Sequence, residues 1–325
     1  MKRFFVAVAL CFGVFLAFSS PPFQEARASD EPVIVAAGDI ACLPGDMTAP
    51  CQDQQTAALL TGADRVLPLG DNQYDAGALS DYLARYDLSW GQYKSNTAPV
   101  PGNHEYRTVG AAGYFDYFDG VDAPTGPAGD RDKGYYSYDI GTWHLIALNA
   151  NCGPNGVIGG CTELSPQMTW LASDLANNPA TCTLAYWHQP RFSSMHTDTP
   201  MGAAWRLLYD NGADVVLNGH QHNYERFAPM APDGSLDKAS GIREFIVGTG
   251  GSSLSPYPQT YPTSKVEDAS SFGVLKITLY PQKYDWEFVP AGTGTFTDSG
   301  TARCDSPGAL DGQPPPSRDR SPTGG

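Results

Sequence analysis

The stretch Val215-Val216-Leu217-Asn218-Gly219-His220-Gln221-His222 sets an apolar run against a turn signal and two histidines. The run has the length and composition of a buried strand, and Asn-Gly is a place for it to stop. Two residues apart, His220 and His222 share a face if the segment is extended, and in a loop both can turn toward one point. Imidazoles paired in this way at a strand exit offer two nitrogens to one metal cluster. Four of the six histidines (His104, His188, His220 and His222) fall in stretches of this kind, which argues against scattered surface histidines.

Working outward, other apolar runs end in the same manner. Val33–Ala37 leads to Asp39, Arg65–Leu69 to Asp71, Ala98–Pro101 to Gly102-Asn103-His104-Glu105, and Thr183–Trp187 to His188. Each of these residues alone has a plain reading as a turn, a cap or a packed core histidine. Six such residues at the same kind of position make a poor coincidence, because loops at strand ends of open α/β sheets converge on one crevice. Helical spacing is read over 54–62, 78–90 and 203–209, and after Ser165-Pro166, where serine caps and proline takes the first turn. A hairpin is expected over 135–138 and 143–149, with later strands at 244–247, 273–280 and 284–289. Strand–helix alternation in front and hairpins behind predict an α/β protein with a mixed or two-layered sheet.

The chain opens Met1-Lys2-Arg3, continues with an apolar run from Phe4 to Phe18 and reaches Ala26-Arg27-Ala28, the pattern of a signal peptide cleaved near Ala28. The run is shorter than the roughly 20 residues that span a bilayer, so the expectation is a secreted protein with no membrane contact. Net charge is −15, and −17 once residues 1–28 are removed, since these carry Lys2, Arg3 and Arg27 against Glu25. Such a surface disfavours extended nucleic-acid binding, and an enzyme of this charge that handles phosphate needs local cations such as metal ions. No obligate protein partner is evident. Six cysteines remain beside Cys11, an even number that suits disulfides in an exported chain. They allow 15 pairings, among which sequence does not choose; the expectation adopted is Cys42–Cys51, Cys152–Cys161 and Cys182–Cys304. From Asp305 to Gly325 the composition is rich in Pro, Gly, Ser and Arg without periodicity, as in a disordered tail. The organisation expected is a signal peptide (1–28), one catalytic domain (29–304) and the tail (305–325).

The series Gly38-Asp39, Gly70-Asp71 with Tyr74, Gly102-Asn103-His104-Glu105, His188, and Gly219-His220 with His222 resembles the calcineurin-like metallophosphoesterases, and within them the purple acid phosphatases. Order and spacing match over about residues 33–290. The superfamily commonly carries a histidine two residues after its first aspartate; here that position is Ala41. The purple group also lacks it and uses a tyrosine, which here is Tyr74.

The resemblance implies a four-layer α/β/β/α sandwich of two mixed sheets and a secreted phosphatase that hydrolyses phosphate monoesters, with a dinuclear metal centre and activated hydroxide. It implies Fe(III) held by Asp39, Asp71, Tyr74 and His222, and a divalent ion (Fe, Zn or Mn) held by Asp71, Asn103, His188 and His220. The donor types agree, since anionic oxygens suit a hard trivalent ion, and amide and imidazole suit a divalent one. By the same resemblance His104 and His196 are proton donors to the leaving group and, with Asn103, face the substrate, a small phosphate ester; Arg191 is a candidate phosphate contact whose plainer reading is a structural ion pair. Arg226 reads better as a structural ion pair and His144 as a packed sheet residue. A phosphodiesterase or nucleotidase on the same site, or a catalytically inactive secreted binding protein, are the alternatives.

Overall fold

The computed structural model describes Met1 and residues 31–46, 51–195 and 200–304. Apart from Met1, the signal-peptide segment and the tail lie outside the described residues, and so does His196. The first part of the chain gives β1 (Val33–Ala37), α1 (Asp53–Ala57), β2 (Arg65–Pro68), α2 (Leu79–Ala84) and α3 (Ala112–Phe118). A two-residue ribbon, β3 (Thr125–Gly126) with β4 (Gly129–Asp130), precedes β5 (Tyr136–Ile140), β6 (Trp143–Ala147), α4 (Pro166–Asn177), β7 (Cys182–Tyr186) and α5 (Gly202–Asp210). The remainder is strand: β8 (Val215–Asn218), β9 (Tyr224–Phe227), β10 (Arg243–Val247), β11 (Ser264–Asp268), β12 (Gly273–Tyr280), β13 (Lys283–Pro290) and β14 (Ser299–Arg303).

Two mixed sheets result. One has the order β14-β13-β12-β1-β2 and the other β11-β9-β10-β8-β7-β6-β5. Period-2 side-chain alternation sorts the second sheet between two cores. Leu145, Leu184, Leu217 and Phe245 join Ile34, Leu275 and Phe288 of the first sheet in one buried cluster. Their neighbours Ile146, Ala185, Val216 and Ile246 turn the other way, onto Leu171 of α4 and Trp205 and Leu208 of α5. Leu60, Tyr82, Trp90 and Phe115 complete the first cluster. This is the expected α/β fold with two sheets and helices outside them, and its central strands β1, β6, β7 and β8 are mostly apolar because both faces are covered.

The three disulfides pair as expected: Cys42–Cys51, Cys152–Cys161 and Cys182–Cys304, the last closing a separation of 122 residues. Three local readings need correction. The helix expected over 78–90 stops at Ala84, since Arg85 leaves helical geometry (φ −132°, ψ −63°). There the Tyr86 amide donates to Gln73 Oε1 at 3.1 Å, and the Arg85 guanidinium pairs with buried Asp53 at 2.5 Å. The stretch expected as a strand over 98–101 is instead flanked and crossed by isolated parallel bridges, Thr97 with Val66 of β2 and Val100 with Leu69 just beyond it. Pro99 and Pro101 have no N–H to continue a ladder. Strand β9 escaped sequence reading because half of it is Glu225-Arg226, polar groups that are satisfied by tertiary partners: Ser194 Oγ donates to Glu225 at 2.5 Å and Arg226 pairs with Asp298 at 2.7 Å.

Candidate metal centre

The parallel strands deliver their C-terminal ends to one place. β1 pairs in parallel with β2, and β6, β7, β8 and β10 run parallel in the other sheet. Asp39, Asp71, His188 and His220 each follow such an end by two or three residues. Backbone bonds lash these ends together: Gly38 N to Val247 O at 2.8 Å, Asp39 N to Gly70 O at 3.0 Å, and Gly219 N to His188 O at 3.0 Å. The chain turns sharply there, and Asp39, Asp71 and His220 sit in the left-handed region (φ 60°, 48° and 70°). Non-glycine residues rarely adopt it, and such strain collects at functional sites. Packing is too close for side chains at the motif glycines: a Cβ on Gly102 would lie 2.1 Å from Asp71 Oδ1, and one on Gly70 2.6 Å from the His188 ring.

The seven residues of the two expected ligand sets lie in these converging loops. The Tyr74 hydroxyl is 2.8 Å from Asp39 Oδ1, 3.2 Å from Asp71 Oδ2 and 3.0 Å from His222 Nε2. His222 Nε2 is itself 3.1 Å from Asp39 Oδ1, while Ser253 Oγ holds its Nδ1 at 2.6 Å. Asp71, His188 and His220 each bring one donor atom within 4.8 Å of the others. Thus Asp71 Oδ2, 3.2 Å from His188 Nε2, belongs to both groups. The other carboxylate oxygens are occupied by backbone: Asp71 Oδ1 by His104 N at 2.8 Å, and Asp39 Oδ2 by His220 N at 2.7 Å.

Two buried atoms supply a test of fit to metal. Among the described residues His188 Nε2 and Asn103 Oδ1 have no hydrogen-bond partner; the 3.2 Å contact of His188 Nε2 with Asp71 Oδ2 is an ion pair. Unsatisfied buried polar atoms are costly unless a ligand completes them. His188 Nδ1 meets Leu69 O at 2.8 Å, which fixes the ring with Nε2 turned to the site, the usual support of a ligating histidine. The residues present fit a metal pair.

With protein charges alone, burial pushes the Asp39 carboxyl up, and the charge and hydrogen bond of His222 more than reverse it, so the group is held below its ordinary range. Burial and His188 act on Asp71 in the same opposed way, again with a lowered result. Burial disfavours the charge on His188, but Asp71 overrides this and raises it to about 9. His220, pressed by burial and by the charge on His188, falls to about 4. Burial and Asp39 raise the Tyr74 phenol well above its ordinary value. A bound cation inverts this logic and draws protons off its ligands.

Glu105 is a residue whose role the sequence did not disclose, although it closes the Asn103 motif. Wholly buried, it accepts from Asp71 N (2.9 Å), Asn72 N (2.9 Å), Gln73 N (3.3 Å), Gly102 N (2.6 Å) and the Tyr82 hydroxyl (3.1 Å). One carboxylate therefore fixes the Asp71 loop against the Asn103 loop. Burial and Asp71 raise it to about 7. His104 stands at the edge, with Nδ1 2.6 Å from Asp75 O and Nε2 3.0 Å from Arg107. A carbonyl only accepts, so Nδ1 carries the proton and Nε2 accepts from Arg107, whose other nitrogen pairs with Asp75 at 2.6 Å. Arg107, too, was not singled out by sequence.

Arg191 contacts other parts: its guanidinium lies 5.1 Å from the Phe192 ring centre and its amide donates to Glu244 at 3.0 Å. Arg226 pairs with Asp298. His144 is held between Asp139 and Asp174 at 2.8 Å each, as a sheet residue. Beside Asn103 and His220 a cleft of about 510 Å³ is walled by Tyr106, Asn151, Gln189 and the Cys152–Cys161 loop.

Residues 32–224 match the family model of the calcineurin-like phosphoesterases. Purple acid phosphatase 15 of Arabidopsis thaliana is 32% identical over 160 residues, 45% of this chain and 29% of that protein. A nucleotide pyrophosphatase/phosphodiesterase of Hordeum vulgare is 25% identical over 291 residues, 76% of this chain and 73% of that one. Among solved structures, the purple acid phosphatase PPD1 of yellow lupin superposes with a TM-score of 0.64 at 20% identity, over 84% of this chain and 54% of that one. That likeness is one of fold. The chain spans 29% to 54% of the two purple acid phosphatases.

Proposed function

The chain belongs to the calcineurin-like phosphoesterase family, and from that premise we propose that it is an exported, metal-dependent phosphatase acting on small phosphate monoesters. The observation that carries this reading is the position of Asp71 Oδ2, within 3.2 Å of both the Tyr74 hydroxyl and His188 Nε2. It supports Asp71 as the bridge of a metal pair of the kind the purple acid phosphatase relatives imply. Asp39, Tyr74 and His222 would complete one ligand set, with iron(III) the ion that suits it. Asn103, His188 and His220 would complete the other around a divalent ion. When bound, such a pair neutralises phosphoryl oxygens and lowers the pKa of water.

The protein's own part is positioning and proton handling. Asp71 and Asp39 are held by backbone amides, His188 by Leu69 O and His222 by Ser253, so the donors are preorganised. His104 Nε2 is the group we assign to the leaving oxygen; it can carry a proton there once Arg107 turns to a phosphoryl oxygen. Export is supported by the three disulfides, and no helix among the described residues is long and apolar enough to cross a membrane.

Turnover of p-nitrophenyl phosphate, lost with chelator and restored by added metal, is the expected result. Inactivity with every metal would support a binding protein that has kept the fold. The likeness to the barley phosphodiesterase favours diester cleavage as a second reading; faster turnover of bis-p-nitrophenyl phosphate than of the monoester would establish it. The iron assignment predicts a visible tyrosinate charge-transfer band that disappears in Tyr74→Phe. A colourless, fully metallated, active protein would refute it.

A further inference from the structure

The cleft beside Asn103 and His220 has a chemistry of its own. Besides Asn103 and His220, the polar side chains that line it are amides and a phenol, Tyr106, Asn151, Asn155 and Gln189, with Ala150, Pro154 and Pro200 as apolar wall. No lysine, arginine, aspartate or glutamate is among its described lining residues. We propose that this cleft seats the leaving group of the ester, and that it selects an uncharged, hydroxyl-bearing leaving group over one with a further negative charge. The inference rests on the phosphatase reading above.

The walls are built to stay in place. Gln189 Nε2 donates to Asn151 Oδ1 at 3.3 Å, and Asn151 Nδ2 donates to Asn149 Oδ1 at 3.1 Å and to Pro101 O at 3.2 Å. Asn149 Nδ2 reaches the Tyr106 oxygen at 2.7 Å, and Gln167 clamps the Asn149 backbone at 2.8 and 3.0 Å. This chain of amides ties the Asn103 loop to the ends of β6 and β7 and to α4. Because Tyr106 accepts from Asn149, its own proton is directed elsewhere, and no acceptor for it stands among the described residues. A phenolic donor and neutral amides suit hydroxyl groups.

A second anionic group would be desolvated there without a cation in a chain of net charge −15. The neighbouring cations are engaged elsewhere: Arg107 by Asp75 and His104, and Lys133 by Asp130 at 2.7 Å.

Glycerol 3-phosphate and 3-phosphoglycerate differ in the leaving group by a carboxylate and test this directly. With the metal-loaded full chain, kcat/KM should favour glycerol 3-phosphate by at least about tenfold. Asn155→Lys, an exposed change in the Cys152–Cys161 loop, should bring the ratio toward one by raising the value for 3-phosphoglycerate. Equal values in the parent protein, a preference for 3-phosphoglycerate, or an unmoved ratio in Asn155→Lys would overturn the proposal. If neither ester nor p-nitrophenyl phosphate is hydrolysed, the phosphatase reading fails separately. The same pair is then compared as ligands by calorimetry, where equal affinity overturns the cleft assignment as well.

Discussion

The two halves of the centre treat their own atoms differently. Around Tyr74 the donors satisfy one another, the hydroxyl lying within 3.2 Å of Asp39, Asp71 and His222. Around His188 they do not: His188 Nε2 and Asn103 Oδ1 are buried without a hydrogen bond among the described residues, and this half opens on the cleft. The first half collects anionic oxygens; the second is mostly neutral. What differs is the charge each can neutralise, so the halves should differ in which ion they take, how tightly, and how binding depends on pH.

The comparison breaks most completely at the shared residue. Asp71→Asn should remove several kcal/mol of charge stabilisation and lower kcat by roughly 10³-fold, with metal content falling at both halves together. Loss of one ion alone, by metal analysis, would show that Asp71 is not common to the two.

The pH dependence separates the halves next. His188, raised to about 9, must lose its proton to ligate, whereas His220, lowered to about 4, is already neutral above that pH. Binding therefore releases one proton, and divalent-ion affinity should rise about tenfold per pH unit up to about pH 9, then level off. At the other half both the Tyr74 phenol and His222 have raised values. The phenol must lose its proton to ligate, and His222 gives up a second one wherever the pH lies below its raised value, so affinity there should rise more steeply at the acid end and keep rising where the divalent ion levels off. Competition with a chelator of known pH dependence reads both slopes, and equal slopes would remove the distinction.

Glu105→Gln keeps the size of the clip but replaces one carboxylate oxygen by an NH₂ donor facing backbone amides. Activity and metal affinity should fall about 10- to 100-fold, in both halves, because Glu105 holds Asp71 and the Asn103 loop at once. The smallest effect belongs to Ser253→Ala, which frees one side of the His222 ring. It should cost about tenfold in affinity at the Tyr74 half and leave the divalent ion in place.

Much of this candidate centre was legible in the sequence because the residues proposed as its ligands stand at strand ends. An apolar run that stops at Gly-Asp or Gly-His announces both the strand and the loop, and parallel strands bring such loops to one edge. The supports were less legible. Glu105 could be seen beside Asn103, but its four amide donors come from loops about thirty residues apart. Arg107 and Tyr106 carry no motif of their own in the sequence; only the fold sets them against His104 and Asn149. Arg191, close to His188 in sequence, reads there as a candidate phosphate contact or, more plainly, a structural ion pair; its contacts are with Phe192 and Glu244. Strands with buried charges, such as Glu225-Arg226 in β9, carry no apolar pattern to read.

By itself the sequence determined the family, the alternation of strands and helices, and the residue types that meet in the candidate centre, since these follow from local apolar periodicity and from motifs a few residues long. The pairing of the six cysteines, the break of the second helix at Arg85, the sharing of Asp71 between two groups and the neutral lining of the cleft were decided by the tertiary structure. Each depends on contacts between segments distant in the chain, and such contacts leave no local periodicity behind.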